Sequence, residues 1–276
     1  MGENNYNFAQ VIKRASKTFY ISSLFFPKRV RRDVHILYAF LRISDDLVDS
    51  IPSKEDEFIT LKKELLSSLI GIKSKDIIVE SFSDLARRKG IDHQIIFDYL
   101  DVQEMDLKKK SYATYQELDR FIYGVAGVVG LMMAKVMDLK EASFSGAIKL
   151  AEAMQNVNII RDIAEDLSAG KVYLPQDELK RFGLPNKLDK EDVEKNFEEY
   201  CRFIRFQLDR TKSLLTESRE SFRFIPNNIL KPIKIVADIY EEVINRIYAD
   251  PALVFKKKMK PSIWTIVRIS FKNYFL

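Results

Sequence analysis

A helix that ends in carboxylates constrains the fold of this chain more than any other feature of its sequence. Within Val30–Leu41, apolar residues recur every three or four positions, which predicts an α-helix, and Pro52 ends it at or before the preceding residue. Asp45, Asp46 and Asp49 therefore lie near the helix C-terminus. That end carries partial negative charge, so each carboxylate costs roughly 0.3–1 kcal/mol. Such an arrangement needs a compensating partner.

Two of these aspartates lie on the face of the helix that begins apolar. Val34, Tyr38 and Leu41 form the apolar stripe, and Asp45 and Asp49 continue it. We therefore expect both carboxylates to point inward, where charged groups require partners, and their four-residue spacing makes them repel each other. Because an acidic helix end is more often an ordinary solvated surface, this pair alone leaves both interpretations open.

A second segment repeats the arrangement. Gln155, Asn158, Asp162 and Asp166 fall within an arc of roughly 80° on one face of a predicted helix. Gly170 is a natural residue just beyond a helix C-terminus, so this aspartate pair also crowds a helix end. Two pairs with the same spacing, on separate helices, could face each other across a cavity. Mg²⁺, which prefers oxygen ligands and also binds phosphates, would relieve the repulsion in both.

The composition favours an all-α protein that forms a single domain, residues 1–276. The chain is 46% hydrophobic and contains 9 glycines and 8 prolines, without an Asn-Gly or Asp-Gly pair to begin a hairpin. Short connections between the periodic segments fit neighbouring helices of one bundle. The predicted helices are Phe8–Ser16, Lys28–Asp49, Glu55–Leu69, Ser74–Arg88, Asp92–Lys108, Tyr115–Met137, Ser143–Leu167, Lys190–Ser218 and Ile229–Ile247, followed by a short C-terminal segment.

Residue counts argue against several kinds of site and location. Cys201 is the only cysteine, so an intramolecular disulfide cannot form, and a reducing compartment suits the chain. His35 and His93 are the only histidines, which argues against a His-rich zinc site or a Ser-His-Asp triad. The first residues lack an apolar signal segment, and the charge-free run Phe121–Ala134 is too short to span a bilayer. We expect a cytoplasmic protein.

The charge is mildly basic, with a formal net charge of +5 and a pI of about 9.0. This balance suits anionic small ligands or a membrane surface, and we predict no nucleic-acid partner. The C-terminal segment Val254–Phe275 mixes lysines with aromatic residues. It either rests on a membrane surface as a peripheral contact or packs on the bundle as a terminal helix. The sequence leaves that choice and the oligomeric state open.

Several stretches of the chain match one family when they are taken together. They are Ser16–Phe19, Leu37–Asp49, Glu104–Leu107, Tyr123–Leu131, Gln155–Asp166 and Gly170–Pro175. In this order they resemble the squalene/phytoene synthase family of head-to-head prenyl transferases, over most of the chain from about residue 8 to 250. Each stretch is a weak signal, whereas the combination is specific. The resemblance implies an all-α fold of the isoprenoid (prenyl) synthase type with a central cavity.

The resemblance also implies a reaction. The family joins two prenyl diphosphates through their C1 carbons, by way of a cyclopropyl diphosphate intermediate. It uses Mg²⁺ held by two aspartate motifs, here Asp45/Asp49 and Asp162/Asp166. Mn²⁺ is an alternative metal, and NADPH is not expected. The aspartate motifs, together with the resemblance of Tyr123–Leu131 and Gly170–Pro175 to phytoene synthases, favour two geranylgeranyl diphosphates as substrates and phytoene as product. The alternative is the same chemistry on farnesyl diphosphate, giving dehydrosqualene, squalene or hydroxysqualene.

Ionisation of an allylic diphosphate produces a carbocation and a highly charged leaving group, and both need partners. Arg42 and Arg161 can each donate paired hydrogen bonds to phosphate oxygens, and aromatic faces in a dry pocket can stabilise the carbocation. Arg42 and Tyr123 join the four aspartates as predicted catalytic residues. The predicted substrate-binding residues are Ser16, Lys17, Phe19, Tyr38, Arg42, Gln155, Asn158, Arg161, Tyr173, Tyr240 and Lys257.

Other features of the sequence allow more than one interpretation. Gly124, Gly127 and Gly130 recur every third residue in a predicted helix, where each costs about 1 kcal/mol relative to alanine. They clear room for either a second helix or a prenyl chain. Asp106 is expected to orient the second aspartate pair or a metal-bound water. Phe121 stands where some relatives carry tyrosine, which argues against a role that needs a hydroxyl group there.

Two other classes of function compete with this interpretation. A non-catalytic relative that binds lipid or assists assembly is expected to lose aspartates from one motif, and this chain keeps all four. A head-to-tail prenyl elongase or a terpene cyclase shares the metal chemistry. That class fits poorly with the sequences of Gln155–Asp166 and Gly170–Pro175, and identification of the product would separate it from the head-to-head reaction.

Overall fold

The predicted helices form in the order in which the sequence places them. The computed structural model describes residues 6–50, 52–256 and 259–275, and within these ranges the only strand-like feature is an isolated bridge between Ser111 and Val172. The α-helices are α1 Phe8–Ala15, α2 Lys17–Ser23, α3 Lys28–Asp49, α4 Glu55–Leu69, α5 Ile77–Lys89, α6 His93–Lys108, α7 Tyr115–Ile122, α8 Val128–Val136, α9 Phe144–Arg161, α10 Ile163–Ser168, α11 Gln176–Arg181, α12 Lys190–Lys195, α13 Phe197–Glu220, α14 Asn227–Ala249, α15 Leu253–Lys256 and α16 Ile263–Phe275. The all-α prediction is confirmed.

Side-chain caps explain where several of these helices begin. The carboxylate of Asp76 accepts hydrogen bonds from the backbone N–H groups of Ile78 and Val79, so α5 begins at Ile77 rather than at the predicted Ser74. Asp92 caps α6 in the same way. Such caps satisfy N–H groups that would otherwise lack partners in the first turn.

The predicted helix Tyr115–Met137 is interrupted by a π-helical turn at Tyr123–Gly127. A Cβ atom on Gly124 would lie 2.4 Å from the side chain of Val102, and one on Gly130 would lie 2.4 Å from the carbonyl oxygen of Ala147. Close packing against neighbouring helices therefore requires both glycines. Gly130 also lies on the cavity wall described below, so room for a prenyl chain at this position stays a prediction.

Two other predicted helices are each divided in two. The predicted helix Ser143–Leu167 breaks at Asp162, which has φ −103° and ψ 12°. Arg161 and Asp162 share a bidentate ion pair, and neighbouring residues of a regular helix do not face each other, so the backbone departs from helical geometry there. The predicted helix Lys190–Ser218 breaks at Asn196. The short helices α2 and α11 were not predicted.

The buried apolar side chains form two large clusters. One is built mainly from α3, α4, α5, α6 and α8, and the other from α7 and α9–α14. Ile225 and Ile233 pack against both clusters, which favours the single-domain prediction. Among the described helices, none combines the length and the apolar character needed to cross a bilayer.

Candidate active site

A long cavity opens between the two apolar clusters, and both clusters contribute to its walls. Its volume is about 390 Å³, within the size range of small-molecule sites. Arg42 and Asp45 of α3 line one end, where they meet Asn158 of α9. The lining of α9 continues from Asn158 to Gly146, twelve residues away, which corresponds to ~18 Å of helix. The cavity is thus a deep apolar pocket with a polar mouth, and the predicted central cavity is present.

Neutral donors from α6 hold the first aspartate of α3. The carboxylate of Asp45 accepts hydrogen bonds from the Tyr99 hydroxyl at 2.9 Å and from Nε2 of Gln103 at 2.6 Å. Burial, with the nearby charge of Asp49 as a further cause, raises the pKa of Asp45 to about 7, although the Tyr99 hydrogen bond opposes this rise. The carboxylate is therefore fixed in position, while its charge is only weakly compensated by Arg42.

The residues on α6 form a polar stripe that the sequence analysis only partly identified. Tyr99, Gln103 and Asp106 are spaced four and three residues apart, so they share one face of the helix. Gln103 and Asp106 are buried, being only 6% and 4% exposed. Polar residues at this spacing, alongside the buried Ile96, Leu100 and Leu107, are the signal in the sequence that marks this stripe. The sequence-based prediction included Asp106 alone of the three.

The second aspartate pair lies where α9 ends and α10 begins. Arg161 donates from Nε to Asp162 at 2.7 Å and also from a terminal nitrogen, so its fork is occupied by that carboxylate. Arg161 was predicted to donate to phosphate oxygens, and in this structure it instead neutralises Asp162. Burial, followed by the charges of Asp162 and Asp49, raises the pKa of Asp166 to about 7.

Lys171 lies between the two aspartate pairs. Its ammonium group pairs with the carboxylate of Asp106 and lies 3.7 Å from Asp49. The Tyr173 hydroxyl also donates to Asp106, at 3.0 Å. The charge of Lys171 partly opposes the rise in the pKa of Asp166. The carboxylates of α3 and α10 therefore face one another across a single lysine, and the sequence analysis had not singled out this residue.

The donor set suits a hard divalent cation. All four aspartates offer carboxylate oxygens. Burial first, and neighbouring carboxylates second, raise the pKa of Asp45 and of Asp166 to about 7, so a bound cation would stabilise the charged form of each. Across the ranges that the structure describes, no three acidic, histidine or cysteine side chains are arranged closely enough to ligate one ion together. Metal binding would therefore require the side chains to draw closer.

Three of the predicted aromatic residues line the cavity near its polar mouth. The ring of Phe19 lies 5.8 Å from that of Tyr38 and 6.4 Å from that of Tyr240. The Tyr240 hydroxyl donates to Asn158 at 3.4 Å, and Nδ2 of Asn158 donates to Gln155 at 3.3 Å. These residues, including both predicted amides, form a connected chain of contacts along the cavity wall.

The remaining predicted residues are placed differently. Tyr123 is 44% exposed and lies off the cavity wall, so the expectation that it occupies a dry pocket is wrong, because the π-turn directs it to solvent. Tyr173 packs against Phe121 and Tyr112, outside the main cavity. Ser16 caps α2 by accepting from the Phe19 N–H.

The basic residues predicted to bind substrate are less well placed than the aspartates. Arg42 lines the mouth but forms an ion pair with Asp46, and both side chains are about half exposed. Lys17 is exposed on α2. Lys257 lies outside the described residues.

Comparison with known proteins identifies one family. The family model described as squalene/phytoene synthase matches residues 12–265. A 15-cis-phytoene synthase of Synechococcus elongatus is 28% identical over 92% of this chain and 87% of its own length. A chloroplastic phytoene synthase of an Oncidium hybrid cultivar is 30% identical over 90% of this chain, which spans 62% of that relative.

Solved structures show the same architecture. A dehydrosqualene synthase solved with a ligand superposes with a TM-score of 0.84 at 29% identity, over 96% of this chain and 93% of its own. The squalene synthase HpnC from Alicyclobacillus acidocaldarius gives a TM-score of 0.78 at 21% identity, over 88% of this chain and 92% of its own, a likeness of fold. The predicted fold type is confirmed.

Proposed function

Since the chain belongs to the squalene/phytoene synthase family, we propose that it joins two prenyl diphosphates through their C1 carbons. The main reaction converts two geranylgeranyl diphosphates into phytoene through a cyclopropyl diphosphate, with release of two diphosphates and two protons. The observation that carries this proposal is a deep apolar cavity with Asp45 in its wall, beside a second aspartate, Asp49, whose charge acts on Asp166 of the other pair. Anionic groups of the substrate would lie at the mouth and its prenyl chains in the cavity.

The aspartates are the residues that would hold Mg²⁺ or, in its place, Mn²⁺. Asp45 and Asp49 approach from α3, and Asp162 and Asp166 from the junction of α9 and α10. When bound, the metal supplies positive charge to the departing diphosphate. Tyr99 and Gln103 fix the carboxylate of Asp45 in position, because both donate to it. Such outer hydrogen bonds typically preserve ligand geometry.

The cavity wall would protect and stabilise the carbocation. The rings of Phe19, Tyr38 and Tyr240 present aromatic faces next to the mouth, where the charge develops. The apolar lining behind them excludes water, which would otherwise quench the cation. Arg42 stands at the same mouth and would reach a diphosphate after leaving Asp46. The catalytic role of Tyr123 and the substrate-binding roles of Ser16, Lys17 and Lys257 stay predictions.

A second substrate is favoured by one observation. The dehydrosqualene synthase structure shares 29% identity and a TM-score of 0.84 with this chain, which supports farnesyl diphosphate as the alternative. The 28–30% identity to phytoene synthases supports the longer substrate. Both reactions use the same aspartates and differ in the length of chain that the cavity accepts.

Product analysis tests the proposal. The purified protein is incubated with Mg²⁺ and labelled prenyl diphosphates of 15 or 20 carbons, separately, with and without NADPH. We expect phytoene and diphosphate from the C20 substrate, and the same product with and without NADPH. A hydrocarbon formed from the C15 substrate alone would establish the alternative. Absence of diphosphate release from either substrate would overturn the proposal.

We also propose a cytoplasmic location with peripheral membrane contact through the C-terminal segment. This proposal is supported by the mixture of basic and aromatic residues that Val254–Phe275 carries. Fractionation of cells that produce the protein would test it, since a peripheral protein leaves the membrane fraction at high salt.

A further inference from the structure

The C-terminal helix α16 has two different faces. Ile266 and Ile269 are almost completely buried and pack against Ile235 and Ile239 of α14. Phe25, which follows α2, joins the same small cluster, and its ring lies 5.2 Å from that of Tyr274. This inner face anchors α16 to the bundle, so the choice between a terminal helix and a membrane contact is not exclusive.

The outer face of α16 carries large side chains that are exposed, one of which, Tyr274, also contacts Phe25 through its ring. Trp264 is 79% exposed and Phe271 is 61% exposed, and Ile263, Val267 and Tyr274 are also exposed. At 100° per residue these five positions fall within an arc of about 100° of the helix circumference. They therefore form one continuous apolar stripe, which we call the outer stripe.

Basic residues border the outer stripe. Arg268 and Lys272 lie on the adjoining side of α16, and both are exposed. Arg268 is 3.7 Å from Glu242, a long contact on the surface. Over residues 251–276 the sequence contains six lysines and arginines and no aspartate or glutamate. The outer stripe is therefore an apolar strip in positive surroundings.

We infer that α16 lies flat on an anionic lipid bilayer, with the outer stripe inserted at the level of the headgroups. Tryptophan and tyrosine favour this interface, and each basic residue near an anionic surface adds attraction. A second copy of the chain is a poorer occupant, because the same face would bring Arg268 and Lys272 of both copies together. An acidic protein partner would match the charge but would not require an aromatic stripe of this kind.

This placement would bring the bilayer close to the reaction cavity. The inner face of α16 packs on α2 and α14, and other residues of these two helices line the cavity, among them Phe19, Ser22, Val236 and Tyr240. One layer of helices thus separates the lipid from the apolar pocket. The membrane contact deepens the peripheral contact proposed above, and the use of this short path by a lipophilic product rests on the proposed reaction.

Trp264 is the only tryptophan of the chain, so its fluorescence reports directly on the outer stripe. The full-length protein, without substrate, is titrated with vesicles of phosphatidylcholine alone or mixed with phosphatidylglycerol. We expect a shift of the emission to shorter wavelength, and quenching by bromine-labelled lipid, with the anionic vesicles only. Equal responses to both vesicles, or none to either, would overturn the inference.

Matched variants distinguish membrane binding through the outer stripe from nonspecific hydrophobic binding to vesicles. Phe271→Ser should weaken binding to anionic vesicles about ten-fold, because it removes an apolar side chain from the stripe. Ile72→Ser is the control, since Ile72 is 60% exposed and lies in the connection after α4. Lys272→Glu should weaken binding to anionic vesicles by about ten-fold or more. Lys190→Glu is its control, because Lys190 is exposed on α12, and it should leave vesicle binding unchanged.

Two further results would contradict the inference. Equal vesicle binding by Phe271→Ser and Ile72→Ser would show that the outer stripe is not the contact. A doubled mass in solution, with Trp264 emission already at short wavelength without lipid, would show that the face pairs with a second copy. Circular dichroism checks that the variants fold. If Phe271→Ser does not fold, the comparison of Lys272→Glu with its control still tests the inference. Because no substrate is present, failure here is separate from failure of the proposed reaction.

Discussion

The two aspartate pairs have the same four-residue spacing, but the protein treats them differently. Asp45 lies in an unbroken helix, α3, and receives neutral hydrogen bonds from Tyr99 and Gln103. Asp162 breaks its helix and is neutralised by Arg161 in a bidentate pair. Neutral donors position a carboxylate without removing its charge, whereas a bidentate arginine largely neutralises it. Asp45 is therefore held in position by groups that carry no charge, whereas Asp162 shares its carboxylate with the charged group of Arg161.

Replacement of one aspartate in each pair gives the largest expected effect. Asp45→Asn and Asp162→Asn should each lower kcat/KM by at least about a thousand-fold, because charge on the leaving group would lose compensation. Initial rates with the C20 substrate and Mg²⁺ measure this. Asp84→Asn, in an exposed pair with Arg87, is the control and should retain activity. Near-normal activity in either aspartate variant would remove its pair from the mechanism.

The same two variants should change stability in opposite directions. In the metal-free protein at pH 8, Asp45→Asn should raise the free energy of unfolding by about 1 kcal/mol, because it removes a carboxyl whose pKa burial has raised to about 7. Asp162→Asn should lower it by about 1–2 kcal/mol, because it leaves the mostly buried Arg161 without its carboxylate. Urea denaturation measures both free energies. Changes of the same sign would contradict the difference proposed between Asp45 and Asp162.

Lys171 connects the two pairs and gives the next largest effect. Lys171→Met should lower kcat/KM about ten- to a hundred-fold, since it disturbs the carboxylates of Asp49 and Asp166 together. It should also lower the metal-free stability by about 2–3 kcal/mol, because Asp106 stays buried without its cation. Lys171→Arg is the control and should recover most of the stability. In the double variant, Asp106→Asn should restore the stability that Lys171→Met loses. If it does not, the loss does not come from the unpaired carboxylate of Asp106.

Removal of a neutral donor should have a smaller effect. Tyr99→Phe deletes one hydrogen bond to Asp45 and leaves Gln103, so Mn²⁺ affinity should fall about ten-fold. Electron paramagnetic resonance of free Mn²⁺ measures it. Tyr112→Phe is the matched control, because the Tyr112 hydroxyl is buried without a hydrogen-bond partner. An equal change in both variants would indicate a general packing effect.

Glu152 tests whether a raised carboxyl pKa by itself marks function. Burial and the charge of Asp119 raise its pKa to about 7, against the opposing charge of Lys149, although it lies off the cavity wall. The folded state therefore binds a proton more readily than the unfolded state, so Glu152 lowers stability as pH rises from about 4.5 to 7. Glu152→Gln should raise the free energy of unfolding by about 1 kcal/mol at pH 8 and by almost nothing at pH 4.

Activity should change less than two-fold in Glu152→Gln. A larger loss would mean that this carboxyl belongs to the site after all. A stability gain that does not depend on pH would contradict its raised pKa.

Much of the fold could be predicted because hydrophobic periodicity is a local property. The predicted bounds of α3 and α4, Lys28–Asp49 and Glu55–Leu69, agree with the structure. The breaks at Asp162 and at the π-turn could not be predicted, because each depends on a contact that helix propensity does not describe. The short helix α2 carries too few residues for a periodic signal.

The site was predicted only in part, because some of its residues lie in recognisable stretches of sequence and others act through contacts between distant segments. Asp45, Phe19, Tyr38 and Tyr240 lie in stretches that a family resemblance marks, and the structure places these four on the cavity wall. Asp49 is instead 68% exposed, so the expectation that it points inward is wrong, and Asp166 lines a separate small pocket. Tyr99, Gln103 and Lys171 act through contacts between distant segments, so spacing along one helix does not reveal their partners. Tyr123 lies in a stretch that matches the family, but its side chain is exposed and does not line the cavity.

The most direct test of the central claim is a crystal structure with Mn²⁺ and inorganic diphosphate. Anomalous scattering locates each metal ion without reference to the protein model. We expect Mn²⁺ peaks within coordination distance of Asp45 or Asp49 on one side and of Asp162 or Asp166 on the other, with the diphosphate between them. Peaks at one pair only, or metal bound away from the cavity mouth, would contradict the account.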